Sequence, residues 1–407
     1  MVGLLIVAVL AAGVPASNPG ASQPPAGAEA HPGALEPAGL TLAAPPARLR
    51  AVRPVHSGAL QADRSLAQRL SRDQLAGQRV IYAYAGLKPP ASLLTVIRAG
   101  EAAGVIFFGP NISSSSQIRA VVGELQNASA SSPVHAPLLM LTDQEGGEVR
   151  RLPGAPVLSE KQIGESATAV VQARGAGVGA GRNLTGAGIN ANLAPVLDVF
   201  LQPGNFIDEF QRSYAANPAT VARLGAAFIT AQQRTGVAAT AKHFPGLGAA
   251  TRSQDTDLAP VTLDVSLQHL RTVDEAPYRS AITAGVKLVM TSWAVYPALD
   301  PRWPAGLSPT VIGGELRGRL GFRGVTITDG IDAGAVTPFG ALARRGVLAA
   351  TAGADLILCA ATNANHNTPA QGITVLDAIA SALARRQLGL VAAQQAATRV
   401  LALRSNP

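Results

Sequence analysis

Eight short, β-prone apolar runs recur along most of this chain, and stretches with helical spacing separate them. No other feature restricts the fold as much. The runs are RVIYAYA (79–85), GVIFFG (104–109), PLLMLTD (137–143), INANLAPVLDV (189–199), GVAATAKHF (236–244), KLVMTSW (287–293), GVTITD (324–329) and ADLILCA (354–360). Between them lie Ala-, Leu- and Arg-rich stretches such as Pro90–Ala102, Ser115–Asn127, Pro218–Gly236 and Leu267–Gly285. Strands that alternate with helices imply a parallel sheet. Eight such units over ~330 residues fit an α/β fold of the closed (β/α)8, TIM-barrel type. Self-similarity is too weak to define a sequence repeat. The last helical stretch, about Gly372 to Ala402, is expected to break near Leu388–Gly389.

The stretch ahead of the barrel has a different character. Residues 2–14, VGLLIVAVLAAGV, are too few to span a bilayer comfortably. Val14 and Ala16 form a small-x-small pair suited to cleavage after Ala16, so residues 1–16 resemble a signal peptide, although no basic n-region precedes them. With no cysteine nearby, a lipid anchor of the bacterial lipoprotein kind is excluded. Residues 17–60 are rich in Pro, Ala, Gly and Ser and are expected to form a disordered tether. The domain layout is therefore leader (1–16), tether (17–60) and one catalytic domain (61–407). A secreted or envelope location and a monomeric state are expected.

Composition fills in the class. The chain is 47% hydrophobic and 14% charged, enough for a sizeable core. Its net charge of +8 favours contact with anionic cell-wall polymers or membranes. No basic cluster interleaved with aromatics argues for nucleic acid. The single cysteine, Cys359, sits in an apolar run and reads as a buried structural thiol. The six histidines have no metal-ligand spacing, and there is no P-loop or GxGxxG, so neither metal nor cofactor is expected.

Polar residues fall at the C-terminal ends of the strands: Asp143, Asp198, Lys242 with His243, Ser292 and Asp329. Barrel enzymes build their sites on that face. Taken alone, Asp329 is a helix N-cap. In this company it reads as a catalytic nucleophile. The loop TDQEGGEVRRLPG (142–154) offers Asp143, Glu145 and Arg151 to one pocket, with Gly146 and Gly147 for a tight turn. An internal salt bridge is the alternative reading of that loop. Lys242 needs an acceptor at its strand end, and a sugar hydroxyl or a carboxylate would serve. His243 is either a core histidine or part of the same site, and Arg212 either reaches the pocket or is solvated.

Six ordered motifs now come together: DQEGGEVRRL (143–152), NLAPVLDV (192–199), QRSYAANP (211–218), KHFPGLG (242–248), MTSWAVYP (290–297) and LSPTVIGGELRGRLGFRGVTITDG (307–330). The set resembles the glycoside hydrolase family three catalytic domain, and more narrowly its single-domain bacterial β-N-acetylhexosaminidases, over about Leu66 to Leu403. The resemblance implies a retaining exo-glycosidase that needs no cofactor and acts on β-linked N-acetylglucosamine in peptidoglycan or chitin fragments. It implies Asp329 as nucleophile, with Asp143, Arg151, Arg212, Lys242 and His243 binding the sugar.

Two positions depart from that branch. Its Asp-Ser-His triplet supplies a histidine general acid/base oriented by the aspartate, whereas this chain reads Asp255-Thr256-Asp257. Trp293 stands where the branch usually has histidine after Met-x-Ser. Three readings follow. Asp257 takes over as acid/base, with Asp255 as its orienting carboxylate and its pKa raised by Asp255 and partial burial. Alternatively, another acid serves or only activated substrates react. The third reading is a carbohydrate-binding protein that has lost turnover. A β-glucosidase-type exo-glycosidase is a further alternative on the same barrel.

Overall fold

The computed structural model describes residues 56–407. The leader and nearly all of the expected tether lie outside the described residues. A helix, His56–Arg69, has already begun before residue 60. It lies against the last helix of the chain, Leu390–Ser405.

Eight parallel strands close into a barrel: β1 (Val80–Tyr82), β2 (Gly104–Ile106), β3 (Leu139–Thr142), β4 (Ala191–Asn192), β5 (Ala238–Phe244), β6 (Leu288–Thr291), β7 (Val325–Gly330) and β8 (Leu356–Cys359). Each strand pairs with its sequence neighbours, and β8 closes onto β1 with Val80 opposite Ile357. The pleat sorts the side chains. Ile81, Leu139, Leu141, Met290, Ile327 and Leu358 fill the barrel interior. The intervening Val80, Tyr82, Met140, Ile357 and Cys359 pack in the outer hydrophobic layer. Both faces are covered, so the strands read as continuous apolar runs rather than alternating ones. Each fully buried Leu or Ile contributes ~1.5–3 kcal/mol.

The fourth run is less regular than expected. Only Ala191–Asn192 forms a strand. Beyond it Pro195 has no N–H to give, and the segment meets β5 through single bonds such as Leu197 N–H to the Lys242 carbonyl at 2.7 Å. The helix expected over Leu267–Gly285 has wider π-type turns across Leu270–Asp274 before the α-helix Ala276–Thr283. The predicted break near Leu388–Gly389 separates the helices Pro369–Ala384 and Leu390–Ser405. Among the described residues, no helix is long and apolar enough to cross a membrane.

Candidate active site

The C-terminal ends of the strands open into a cavity of about 410 Å³. Its polar side is built from the ends of β3 and β5. Beyond Asp143 the chain turns back as a small hairpin, with Gln144–Gly146 pairing to Val149–Arg150. Gly146 and Gly147 take φ of 120° and 55°, the left-handed region that the tight turn requires. The hairpin places Glu145 beneath the cavity, 1% exposed.

Lys242 Nζ lies 2.7 Å from Asp143 Oδ1 and 2.8 Å from Glu145 Oε1. Arg212 donates to both Glu145 oxygens, Nε to Oε2 at 3.0 Å and Nη2 to Oε1 at 2.9 Å. Burial alone would raise Glu145, but Arg212 and Lys242 hold it down to about 2. Burial likewise opposes ionisation of Asp143, and Lys242 and Arg151 overcome it, leaving its carboxyl below the usual range. Burial disfavours the Lys242 charge, yet Asp143 and Glu145 keep its pKa raised. The group is a fully charged platform. Asp143, Arg151, Arg212, Lys242 and His243 all line the cavity above it. Arg151 has a buried Nε with no hydrogen-bond partner among the described residues.

Glu145 and Asp198 are the acids that hold the other side chains in place. His243 Nδ1 meets Asp198 Oδ2 at 2.8 Å, and Asp198 Oδ1 accepts from the Leu247 N–H at 2.7 Å. Asp198 is buried behind the histidine and does not line the cavity. Ser292 also sits at a strand end but turns away, with its Oγ 2.9 Å from the Tyr296 hydroxyl. Sequence reasoning gave no role to Glu160, which is 1% exposed. One of its oxygens accepts from the Val196 N–H at 2.9 Å, and burial followed by the Glu145 charge pushes its pKa well up. Glu160 opens the short helix Glu160–Gly164, where a glutamate in the first turn is ordinary and carries no sequence signal for this.

Asp329, the last residue but one of β7, is half-buried, lines the cavity and accepts from the Gly330 N–H at 2.8 Å. Trp293 braces that strand end. Its ring is buried, and Nε1–H donates to the Gly330 carbonyl at 2.8 Å. Gly306 leaves room for the indole, since a Cβ there would lie 2.4 Å from Trp293 Cζ3. Trp293 therefore belongs to the scaffold of the site.

Asp257 lies on the long loop after β5 and also lines the cavity. Asp257 as a whole is exposed. Even so, its carboxyl has lost hydration and faces other acids. Desolvation, then the Asp329 charge, then Asp255 push it up to about 7, opposed by Arg212 and His243. Local sequence offers Asp255 and burial as causes, whereas the Asp329 contribution comes from a distant strand end. Asp255 does not bond to the Asp257 carboxyl. Its Oδ1 accepts from the Asp257 backbone N–H at 2.8 Å and so fixes the main chain.

The opposite wall of the cavity is apolar, with Phe108 and Pro110 from the loop after β2 and Ala360, Ala361 and Ala364 from the loop after β8. A charged edge facing an apolar wall suits a ring with hydroxyls on its rim and C–H bonds on its faces. Among the described residues, no three His, Cys, Asp or Glu side chains gather as a metal site.

Residues 71–403 match the family described as Glycosyl hydrolase family 3 N terminal domain. The chain belongs to glycosyl hydrolase family 3. It is 47% identical over 332 residues to an uncharacterized secreted glycosyl hydrolase of Arthroderma benhamiae, covering 81% of this chain and 92% of that one. A family 3 β-N-acetylglucosaminidase from Paenibacillus sp. strain FPU-7 superposes with a TM-score of 0.77 at 36% identity, over 83% of this chain and 62% of that one. The β-N-acetylhexosaminidase of Beutenbergia cavernae superposes with a TM-score of 0.73 at 32% identity, over 82% and 98%. As a family 3 glycosyl hydrolase, the protein takes a carbohydrate substrate.

Proposed function

We propose that this family 3 enzyme is a retaining exo-glycosidase that releases terminal β-linked N-acetylglucosamine, with Asp329 as nucleophile and Asp257 as general acid/base. One observation carries the assignment: Asp257 and Asp329 line one cavity, where lost hydration and then the Asp329 charge push the Asp257 carboxyl up to about 7. A double displacement needs one carboxyl group that can give a proton beside another that can attack.

The terminal sugar rests on the charged platform. Asp143 accepts from its hydroxyls, while Arg151, Arg212, Lys242 and His243 donate to its oxygens or fix the acceptors. An Asp329 oxygen attacks the anomeric carbon. The glycosidic bond breaks as Asp257 gives its proton to the departing oxygen, which leaves as an alcohol. The sugar is now an ester of Asp329. Asp257, left as carboxylate, takes a proton from water, and the resulting attack on the anomeric carbon frees Asp329 and returns Asp257 to its acid form. Glu145 holds Arg212 and Lys242 charged throughout. Asp255 steadies the Asp257 main chain.

The N-acetyl preference is supported by the two solved relatives named for that activity. Peptidoglycan or chitin fragments are the substrate source. Release outside the cell is supported by the apolar leader-like run and by the secreted Arthroderma relative. Asp257 supplies a proton near neutrality where the triplet histidine is missing, which favours turnover over a binding-only role.

The test is hydrolysis of an aryl β-N-acetylglucosaminide by wild type and Asp329→Ala, beside the matching glucoside and xyloside. The variant is expected to lose essentially all activity, and the wild type to prefer the N-acetylglucosaminide. Equal rates in wild type and variant would sink the nucleophile assignment. Faster cleavage of the glucoside would move the enzyme to the β-glucosidase reading.

A further inference from the structure

The loop that carries Asp257 runs from Gly246 to Pro260 and is fastened at several points. At its base, the Gly248 carbonyl accepts from the Leu201 N–H at 2.9 Å and from Asn205 Nδ2 at 2.7 Å. Further along, the exposed Arg252 donates through Nε to Glu209 at 2.9 Å. At the tip, the partner is the chain that leaves β7. Gly334 N–H donates to the Asp257 carbonyl at 2.8 Å, and Ala335 N–H donates to the Thr256 carbonyl at 3.1 Å. Asp255 Oδ1 holds the Asp257 N–H from the other side. Each peptide group flanking Asp257 thus takes one bond from the chain that leaves β7, and the donor to the Asp257 carbonyl, Gly334, lies five positions beyond Asp329.

That second segment is itself held to the nucleophile strand. The Gly330 carbonyl accepts from the Ala333 N–H at 3.1 Å and from Trp293 Nε1 at 2.8 Å. Gly334 has no spare room. A Cβ there would lie 2.1 Å from the Leu258 carbonyl oxygen and 2.3 Å from its carbon. These are backbone atoms, so no rotamer change relieves the overlap. Glycine is needed here for close approach of two main chains.

We infer that Gly334 is a positioning residue: its bare backbone clasps the Asp257 loop to the Asp329 strand and fixes the spacing of the two carboxyl groups. This rests on the assignment of Asp257 as acid/base. Adding one methyl at 334 forces the loop tip outward. Asp257 then moves away from Asp329 and becomes better hydrated, and its acidity moves back towards that of an ordinary carboxylate.

The experiment compares wild type, Gly334→Ala, Asp257→Ala and the double variant on an N-acetylglucosamine disaccharide and an aryl β-N-acetylglucosaminide. Gly334→Ala is expected to lower kcat on the disaccharide about 10²-fold, the scale of an ångström-size misplacement. KM should change little, because the charged platform is untouched. The alkaline limb of its pH–rate profile should move to lower pH. In the Asp257→Ala background the same change should cost almost nothing more, since it acts through the group already removed. Additive losses, or an unshifted alkaline limb, overturn the inference and leave Gly334 a folding residue. If Asp257→Ala itself leaves disaccharide cleavage intact, the acid/base assignment fails first. Ala335→Pro deletes the second clasp donor without adding bulk at 334. It should move kcat and the alkaline limb in the same direction by less, and an unchanged profile there also counts against the clasp if Gly334→Ala does not fold.

Discussion

The charged platform and the Asp257 loop face the same cavity but are built on opposite principles. The platform hangs on β3 and β5 and the hairpin between β3 and β4, and its charges are matched side chain to side chain: Lys242 with Asp143 and Glu145, Arg212 with Glu145. Among the described residues, the loop tip makes no salt bridge. It is held by backbone carbonyls that accept from Gly334 and Ala335, and its carboxyl is desolvated and faces Asp329 and Asp255, with Arg212 and His243 opposing. On the platform, opposite charges drive ionisation to completion, giving fixed dipoles that need no rearrangement when a sugar arrives. On the loop, like charge and lost hydration leave one proton in play near neutral pH. In the proposed mechanism, binding and proton transfer are thus separated between a saturated network and a frustrated one.

The sharpest break in that comparison is Glu145→Gln. It removes the one carboxylate shared by Arg212 and Lys242 and leaves Arg212 without its bidentate partner. Loss of one member of a buried ion cluster typically costs ~3–5 kcal/mol, and sugar affinity should fall with it. The pH dependence has a definite sign. Glu145 sits near pKa 2 in the fold against an ordinary 4.5, so its contribution is complete above about pH 5 and fades as pH falls towards 2. Urea unfolding of both proteins at several pH values checks this. A stability gap that stays constant down to pH 3 would remove Glu145 from the platform's electrostatics.

How much of this was legible in the sequence follows the same division. The eight strands and their order could be read from apolar runs, because a barrel covered on both faces leaves that mark on every strand. The residues of the polar cavity wall could be read from strand ends. What holds them could not. Lys242 and Asp143 are 99 positions apart, and His243 and Asp198 are 45 apart. No local pattern announces such pairs. Ser292 had the same sequence signature as its rim neighbours, yet its hydroxyl turns to Tyr296. Trp293 looked like a lost catalytic feature because a motif comparison registers the absent histidine and not the new indole bond to Gly330. Gly334 stood in a Gly- and Ala-rich segment where nothing marked it as close to Leu258.

Asp257→Asn comes next in expected size and tests the loop side. Loss of a general acid typically costs ~10²–10⁴-fold, and the cost should fall on natural linkages more than on aryl glycosides, whose leaving groups need little protonation. Azide should partly restore aryl turnover. In the wild type, cleavage of the natural linkage requires protonated Asp257, so its rate should fall as pH rises through about 7. That limb should be absent in Asp257→Asn. A limb that persists in the variant assigns the titration to another group.

The smallest effect is expected where the two regions share a support. Trp293→Phe keeps most of the buried ring and removes only the Nε1–H that donates to the Gly330 carbonyl. Gly330 follows Asp329 directly, and its carbonyl also accepts from Ala333, at the start of the segment that clasps the loop. One buried hydrogen bond contributes ~1 kcal/mol, with more lost when the acceptor is left unsatisfied. Here Ala333 still serves the acceptor, so the cost should stay near that figure. A loosened strand end moves the nucleophile and the acid together, so kcat should drop a few-fold while the alkaline limb stays in place. If the limb instead shifts as far as in Gly334→Ala, the loop is anchored through Trp293, and the line drawn here between strand brace and loop clasp disappears.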